Sequence, residues 1–304
     1  MKRLNTVYSR INEIPVGTAP HTVTEGCLVL EGGGWRGIYT QGVLDVLMQE
    51  GFNLQTTIGV SAGAMAALCY LSGQIGSAAR FNLEHRFDQN YSGLGALRRD
   101  HGVTGFSYFF EQFYDELVFD SDRFLEPERR LIVTVTNCFT GRTEFFEKGK
   151  TPYFRQAVQA SATVPYVSEP VEINGMKYLD GGIASKIPLE WPYENGFDKV
   201  VLIRTRDRDF RKKSSSVTLK QLAYYDYPEL KRDLEEEVPR YNLLCDRINV
   251  MEKKKQLFVI APSEEVQVSR FEMDVEKLGD LYWLGYKDAQ AALPALKEYL
   301  ENGE

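Results

Sequence analysis

Twice within its first 63 residues the chain runs from an apolar stretch into a glycine-rich turn and out into a helix-forming segment. Cys27-Leu28-Val29-Leu30 leads into Glu31-Gly32-Gly33-Gly34-Trp35-Arg36-Gly37, and Thr56-Thr57-Ile58 leads into Gly59-Val60-Ser61-Ala62-Gly63. Strand, turn and helix in repetition predict an α/β sheet with parallel strands, because parallel neighbours need a long connection back over one face. The first helix carries Ile38, Val43, Leu44, Val46 and Leu47 on a broad apolar face and stops at Glu50-Gly51. The second, Ala62 to Leu71, is small and apolar on most sides, as a helix buried beneath a turn has to be.

With 304 residues, burial of a core is not limiting and no disulfide staple is needed. Cys27, Cys69, Cys138 and Cys245 lie far apart, with no Cys-x-x-Cys and no histidine at metal-ligand spacing. They read as small buried hydrophobes in a reducing compartment, and neither a metal nor another cofactor is expected. The formal net charge of −7 argues against a nucleic-acid partner. Residues 1–10 lack the apolar stretch of a signal peptide, and no segment approaches the ~18 apolar residues of a membrane span. The expectation is a cytoplasmic chain whose contact with a membrane is transient and confined to its surface.

Residues 1–24 read as a polar arm, and 74–126 as helical and loop-like, rich in aromatics. Leu131 to Thr136 is the clearest strand, paired with Arg142 to Phe146 across Gly141. Asn174-Gly175 predicts a hairpin between Val171–Ile173 and Met176–Leu179. Lys199–Arg204 and Gln256–Ile260 supply two more strands, 219–251 a charged helix, and Asp274 to Leu300 a closing pair of helices. The run from Arg204 to Ser216 reads either as a solvated loop or as a basic lip for anionic headgroups. The aromatic stretch Phe106 to Phe119 is either core or the wall of an acyl groove, with Phe110 and Phe113 the residues that would line it.

The second turn has the form strand, Gly-x-Ser-x-Gly, helix. Such a turn is so tight that it thrusts a serine hydroxyl out at the end of the sheet, which makes Ser61 the candidate nucleophile. His21, His85 and His101 are the only histidines, so the order Ser, Asp, then a late His is unavailable. A base is offered instead by Asp180-Gly181-Gly182, whose carboxylate emerges at the end of the strand Met176–Leu179. The first turn also satisfies Gly-x-Gly-x-x-Gly, the dinucleotide fingerprint, but that fingerprint wants an acid near the end of the next strand, where Ser61 stands. The same glycines suit an oxyanion hole, because consecutive N–H groups at a helix start converge on one spot. Arg36 either adds positive charge beside that spot or caps the surface by pairing with a carboxylate.

Gly-Gly-Gly-x-Arg-Gly at 32–37, Gly-x-Ser-x-Gly at 59–63, Asp-Gly-Gly at 180–182 and the stretch Ala160-Ser161-Ala162-Thr163-Val164-Pro165 together resemble the bacterial-type patatin-like phospholipase family. The resemblance spans roughly residues 25–205. It implies a three-layer α/β/α sandwich with a mainly parallel central sheet, and a Ser-Asp dyad that hydrolyses fatty-acyl esters of lipids. By that likeness Ser61 and Asp180 are catalytic and Gly32, Gly33, Gly34, Arg36 and Gly37 form the oxyanion hole. Gly59 and Gly63 shape the nucleophile turn, and Gly181 and Gly182 the aspartate turn. The expected division is an arm at 1–24, a catalytic domain at 25–205 and, at 206–304, a largely helical elaboration with a charged loop and a closing strand. The expected partner is a lipid acyl ester, and no motif indicates a protein partner. The alternative is a catalytically silent lipid-binding or regulatory module on the same fold.

Overall fold

Alternate residues of the inner strands face two different layers of helices. The computed structural model describes residues 6–115, 119–213 and 224–301, and for Phe113, Tyr114 and Asp115 the backbone alone. One sheet comprises β1 (Thr24–Leu30), β2 (Leu54–Val60), β3 (Arg130–Asn137), β4 (Thr143–Glu147), β5 (Val171–Ile173), β6 (Met176–Asp180), β7 (Val200–Ile203) and β8 (Phe258–Ile260). The order β8-β7-β1-β2-β3 is parallel throughout, β4 and β6 pair antiparallel with β3, and β5 pairs antiparallel with β6. The helices are α1 (Gly37–Gln49), α2 (Ala62–Ser72), α3 (Ser77–His85), α4 (Leu94–Asp100), α5 (Phe106–Asp115), α6 (Ser121–Leu125), α7 (Phe154–Ser161), α8 (Glu190–Glu194), α9 (Pro228–Lys253) and α10 (Val275–Glu301).

Leu28, Leu30, Val201 and Ile203 pack into a core shared with α1, α2 and α10. Their neighbours Cys27, Val29, Val200 and Leu202 point the other way, onto Tyr241, Cys245 and Ile248 of α9. A strand buried on both faces needs no polar residue, which is why β7 and the Cys27–Leu30 part of β1 read as unbroken apolar runs. The architecture is therefore the expected α/β/α sandwich around a mainly parallel sheet. All four cysteines are free and buried. Among the described residues no helix is long and apolar enough to cross a membrane.

The C-terminal segment differs from expectation in two ways. Asp274–Leu300 is not a pair of helices: α10 runs unbroken through Pro294. Its buried residues Leu278, Leu281, Tyr282, Gly285, Ala289, Leu296 and Leu300 keep helical spacing on both sides of the proline, so one continuous stripe rewards one continuous helix. The charged run is neither a solvated loop nor a free basic lip over its described part. Arg204 is fully buried, and Arg208, Arg211 and Lys212 pair with Glu252, Asp246 and Glu237 of α9 at 2.7, 2.6 and 2.5 Å. Ser214 to Ser216 and the helical expectation for 219–223 lie outside the described residues.

α10 crosses α1 at very close range. A Cβ on Gly42 would stand 2.2 Å from the Tyr282 carbonyl oxygen, and one on Gly285 2.2 Å from that of Tyr39. At this crossing Asp45 is buried, accepting from the Gly76 N–H at 2.8 Å and bonded to the Tyr282 hydroxyl at 2.7 Å. Burial raises its carboxyl to about 7, against the lowering effect of those bonds and of Arg80. An unfolded aspartate titrates near ~3.9, so the folded state keeps a proton that the unfolded chain releases, and stability falls as pH rises between the two values. Asp45→Asn keeps an acceptor for Gly76 and a donor for Tyr282 and should remove that slope. Urea unfolding near pH 5 and near pH 7.5 should show the parent losing stability relative to the variant; parallel curves would mean that Asp45 does not titrate in this window.

Candidate active site

β3 brings the two halves of the site together. Its residues Arg130–Thr134 pair with β2, ending with Val60 opposite Thr134. From Val135 onward that edge is taken by β6, with Asp180 opposite Val135, while β4 occupies the other edge. β2 and β6 run in opposite directions, so their C-terminal ends meet head to head along one edge. Ser61 follows the end of one and Asp180 ends the other. The Ser61 hydroxyl donates to Asp180 Oδ2 at 2.8 Å.

Each partner is held by its turn. Ser61 sits at φ 55°, ψ −125°, a conformation costing a non-glycine residue on the order of 1–3 kcal/mol. The turn closes so tightly that a Cβ on Gly59 would lie 2.7 Å from the Ala64 nitrogen, and one on Gly63 2.7 Å from the Leu30 carbonyl oxygen. Gly181 passes so near β3 that a Cβ would meet the Thr134 carbonyl oxygen at 2.2 Å. The Gly182 N–H donates to Asp180 Oδ1 at 2.7 Å, and the Thr136 hydroxyl donates to the Asp180 carbonyl at 2.9 Å. Burial raises the Asp180 carboxyl pKa, opposed by the charge of Arg270 and by the bonds from Ser61 and Gly182. The net rise moves the carboxylate toward the basicity that proton abstraction from a serine requires.

The glycine loop lies across this pair. Gly32 approaches the nucleophile turn so closely that a Cβ would stand 2.7 Å from Val60 Cγ1 and 3.1 Å from Ser61 Cβ. The N–H of Gly32 donates to the Lys186 carbonyl, that of Arg36 to Gly33, and that of Gly37 to Gly34 and Trp35. The N–H groups of Gly33 and Gly34 donate to nothing among the described residues. Arg36 makes no ion pair there and its Nε is buried without a partner, so it is not a surface cap. Burial, with Arg206 and Arg270 nearby, lowers it to about 10, which leaves it charged at neutral pH.

Two cavities meet at Ser61. One, of about 560 Å³, is apolar, its walls including Ile38, Met65, Phe81, Leu97, Phe109 and Met273. The other, of about 280 Å³, holds Asp180, Lys186, Glu237 and Arg270 among its lining residues. Among the described residues no histidine lines either. Of the aromatic stretch, Phe109 faces the large cavity, whereas Phe110 is buried in the core under the Arg155 guanidinium, 4.4 Å from its ring centre. For Phe110 the core alternative therefore holds, since one residue along a helix turns a side chain by about 100°; the Phe113 side chain lies outside the described residues.

The sequence profile described as patatin-like phospholipase matches residues 28–191. The chain belongs to the patatin-like phospholipase family. A second profile, of a domain of unknown function, matches residues 227–301. Relatives include the uncharacterized Escherichia coli protein YjjU, 26% identical over 199 residues, covering 64% of this chain and 56% of that protein. An uncharacterized protein of Acanthamoeba polyphaga mimivirus is 24% identical over 86% of this chain and 92% of its own length. A probable lipid hydrolase of Invertebrate iridescent virus 6 is 26% identical over 54% of this chain and 61% of its own. The chain therefore spans little more than half of two of these relatives. Among solved structures, VipD from Legionella pneumophila superposes with a TM-score of 0.50 at 15% identity, covering 93% of this chain and 70% of that one, which supports the fold.

Ser161 lies in the stretch Ala160–Pro165 that carried part of the resemblance, but its role was not legible there. It is fully buried, accepts from the Ser61 N–H at 2.9 Å and donates to the Thr134 carbonyl at 2.7 Å. The strained serine turn is thereby tied to β3. Ser161→Ala strands a buried N–H and a buried carbonyl, and should cost about 1–3 kcal/mol of stability. Chemical denaturation with the variant and with Ser161→Thr would show it; an unchanged midpoint would mean that water replaces the hydroxyl.

Proposed function

We propose that this chain is a serine acyl hydrolase of lipid esters that works through a Ser61–Asp180 dyad. The observation that carries the reading is the 2.8 Å bond from the Ser61 hydroxyl to a buried carboxylate, placed where an apolar cavity opens beside two undonated backbone N–H groups. As Ser61 Oγ bonds the acyl carbon, its proton passes to Asp180. The carbonyl oxygen becomes an oxyanion, for which the N–H groups of Gly33 and Gly34 are the free donors and Arg36 the nearby charge. Collapse breaks the ester C–O bond, Asp180 returns the proton to the departing alkoxide, and water then cleaves the acyl-enzyme by the same steps.

In this reading Gly32 and Gly37 serve by close approach rather than as donors, since their N–H groups are engaged. The large cavity takes the acyl chain and the smaller one the alcohol portion. Leu94, Leu97, Phe271 and Met273 line the large cavity and are also exposed, which puts them at its mouth and supports transient contact with a lipid surface. Four free buried cysteines are in keeping with work in the cytoplasm.

A fluorophosphonate should label the parent at Ser61, seen by intact mass and peptide mapping. Ser61→Ala should abolish labelling and Asp180→Asn should slow it by about 10²-fold or more, the scale of general-base loss. A folded Asp180→Asn protein labelled at the parental rate would remove the dyad. Met65→Phe, which adds volume to the cavity wall, should lower kcat/KM for long-chain esters relative to short ones. A uniform change across chain lengths would place the acyl chain elsewhere.

A further inference from the structure

We infer that the C-terminal segment, which includes the domain of unknown function at 227–301, completes the active site, with Tyr241 of α9 positioning the glycine loop through Glu31. This rests on the reading of Ser61 as nucleophile and of the loop as its oxyanion hole.

Glu31 is the last residue before Gly32 and is almost fully buried. Its Oε1 accepts from the Tyr241 hydroxyl at 2.7 Å, and its Oε2 accepts from the Thr205 N–H at 2.6 Å and the Thr205 hydroxyl at 3.2 Å. The Thr205 side chain forms the floor of the loop, so near Gly33 that a Cβ there would lie 2.8 Å from Thr205 Oγ1. Below it Arg204 is fully buried. Burial alone would lower its pKa, but Glu31, Cys245 and Tyr241 together outweigh that and hold the guanidinium charged. Burial and the Glu31 charge push the Tyr241 phenol up, so it stays a donor.

Two further contacts of the loop lead to the same part of the chain. The Lys186 carbonyl that accepts from Gly32 belongs to a residue whose ammonium is held by Glu237 of α9 at 2.6 Å. The Trp35 N–H donates to the Arg270 carbonyl at 3.3 Å, and a Cβ on Gly34 would lie 2.7 Å from Arg270 Cγ. Glu31, Gly32 and Trp35 are thus fixed by Tyr241 directly, by Glu237 through Lys186, and by Arg270. Between those fixed points Gly33 and Gly34 keep their N–H groups free. A buried carboxylate between a tyrosine and a threonine is a rigid support, because each lost donor leaves charge without compensation in a low-dielectric site.

Tyr241→Phe removes the hydroxyl and keeps the ring. Thr205→Val removes the second side-chain donor, and Thr205→Ser gives it back. Each is compared with the parent by fluorophosphonate labelling rate, by the final labelled fraction, and by kcat and KM on a 4-nitrophenyl ester. The expected result for Tyr241→Phe is a folded, fully labelled protein whose labelling rate and kcat are lower by about tenfold or more at similar KM, within the ~10²-fold that a 1 Å misplacement can cost. Thr205→Val should follow the same pattern and Thr205→Ser should recover the parental rate. A purely structural role would lower the labelled fraction while leaving kcat per labelled site unchanged, and that result overturns the inference. Should Tyr241→Phe not fold, the threonine pair decides: equal rates for Val and Ser overturn it. Absence of Ser61 labelling in the parent would instead remove the reading on which the inference stands.

Discussion

The site depends on β2 and β6 sharing one edge of β3 from opposite directions. Hydrogen-bond register alone brings Val60 opposite Thr134 and Asp180 opposite Val135, which leaves Ser61 and Asp180 facing each other across the gap between two strand ends. A slip of one residue in either pairing would turn the side chains to the other face of the sheet. The register is held by groups buried at the junction: Ser161 bridging the Ser61 N–H and the Thr134 carbonyl, and Thr136 bonding the Asp180 carbonyl. The backbone strain at Ser61 persists because these contacts leave the turn no alternative.

Around this junction the protein buries charge in pairs and networks. Asp180 shares its carboxylate between Ser61 and the Gly182 N–H, and Glu31 is satisfied on both oxygens by Tyr241 and Thr205. Not every enclosed arginine has a carboxylate partner: among the described residues Arg86, Arg123 and Arg129 are buried and bond backbone carbonyls instead, and the half-buried Arg36 makes no ion pair. The C-terminal helices are part of this arrangement. α9 covers one face of the sheet and reaches Glu31, while α10 lies against α1, the helix whose start carries the glycine loop.

Features governed by neighbouring residues were legible in the sequence. The glycines at 32–37, 59–63 and 180–182 mark places where the chain turns sharply or passes close to another segment, and both demands leave a local trace in residue type. The Asn174-Gly175 hairpin, the apolar end of β1 and the apolar β7 were equally readable, because pleat and burial impose their own pattern. Features that depend on distant partners were not. Phe109 and Phe110 look alike in sequence and both join the core, and only the orientation of α5 makes Phe109 a wall of the cavity as well. The cations after Arg204 looked like a hydrated run because their carboxylate partners lie 25 to 44 residues further on, in α9. Asp274 to Leu300 read as a pair of helices, yet the buried stripe against α1 runs on through Pro294 and outweighs one lost backbone bond.

The parallel α/β sheet and the residue types at the turns were readable from the amino-acid order alone, because turn geometry and strand periodicity are written in contiguous residues. Which loop N–H groups stay free, how Ser161 and Glu31 support the turns, and how Tyr241 and Arg270 reach the glycine loop follow from tertiary contacts alone. Those outcomes rest on hydrogen bonds between groups from 100 to 210 residues apart, as in Ser61 with Ser161 and Glu31 with Tyr241. No local pattern encodes such pairings, since each group has an ordinary neighbourhood in the chain and acquires its role only when burial removes water as a competing partner.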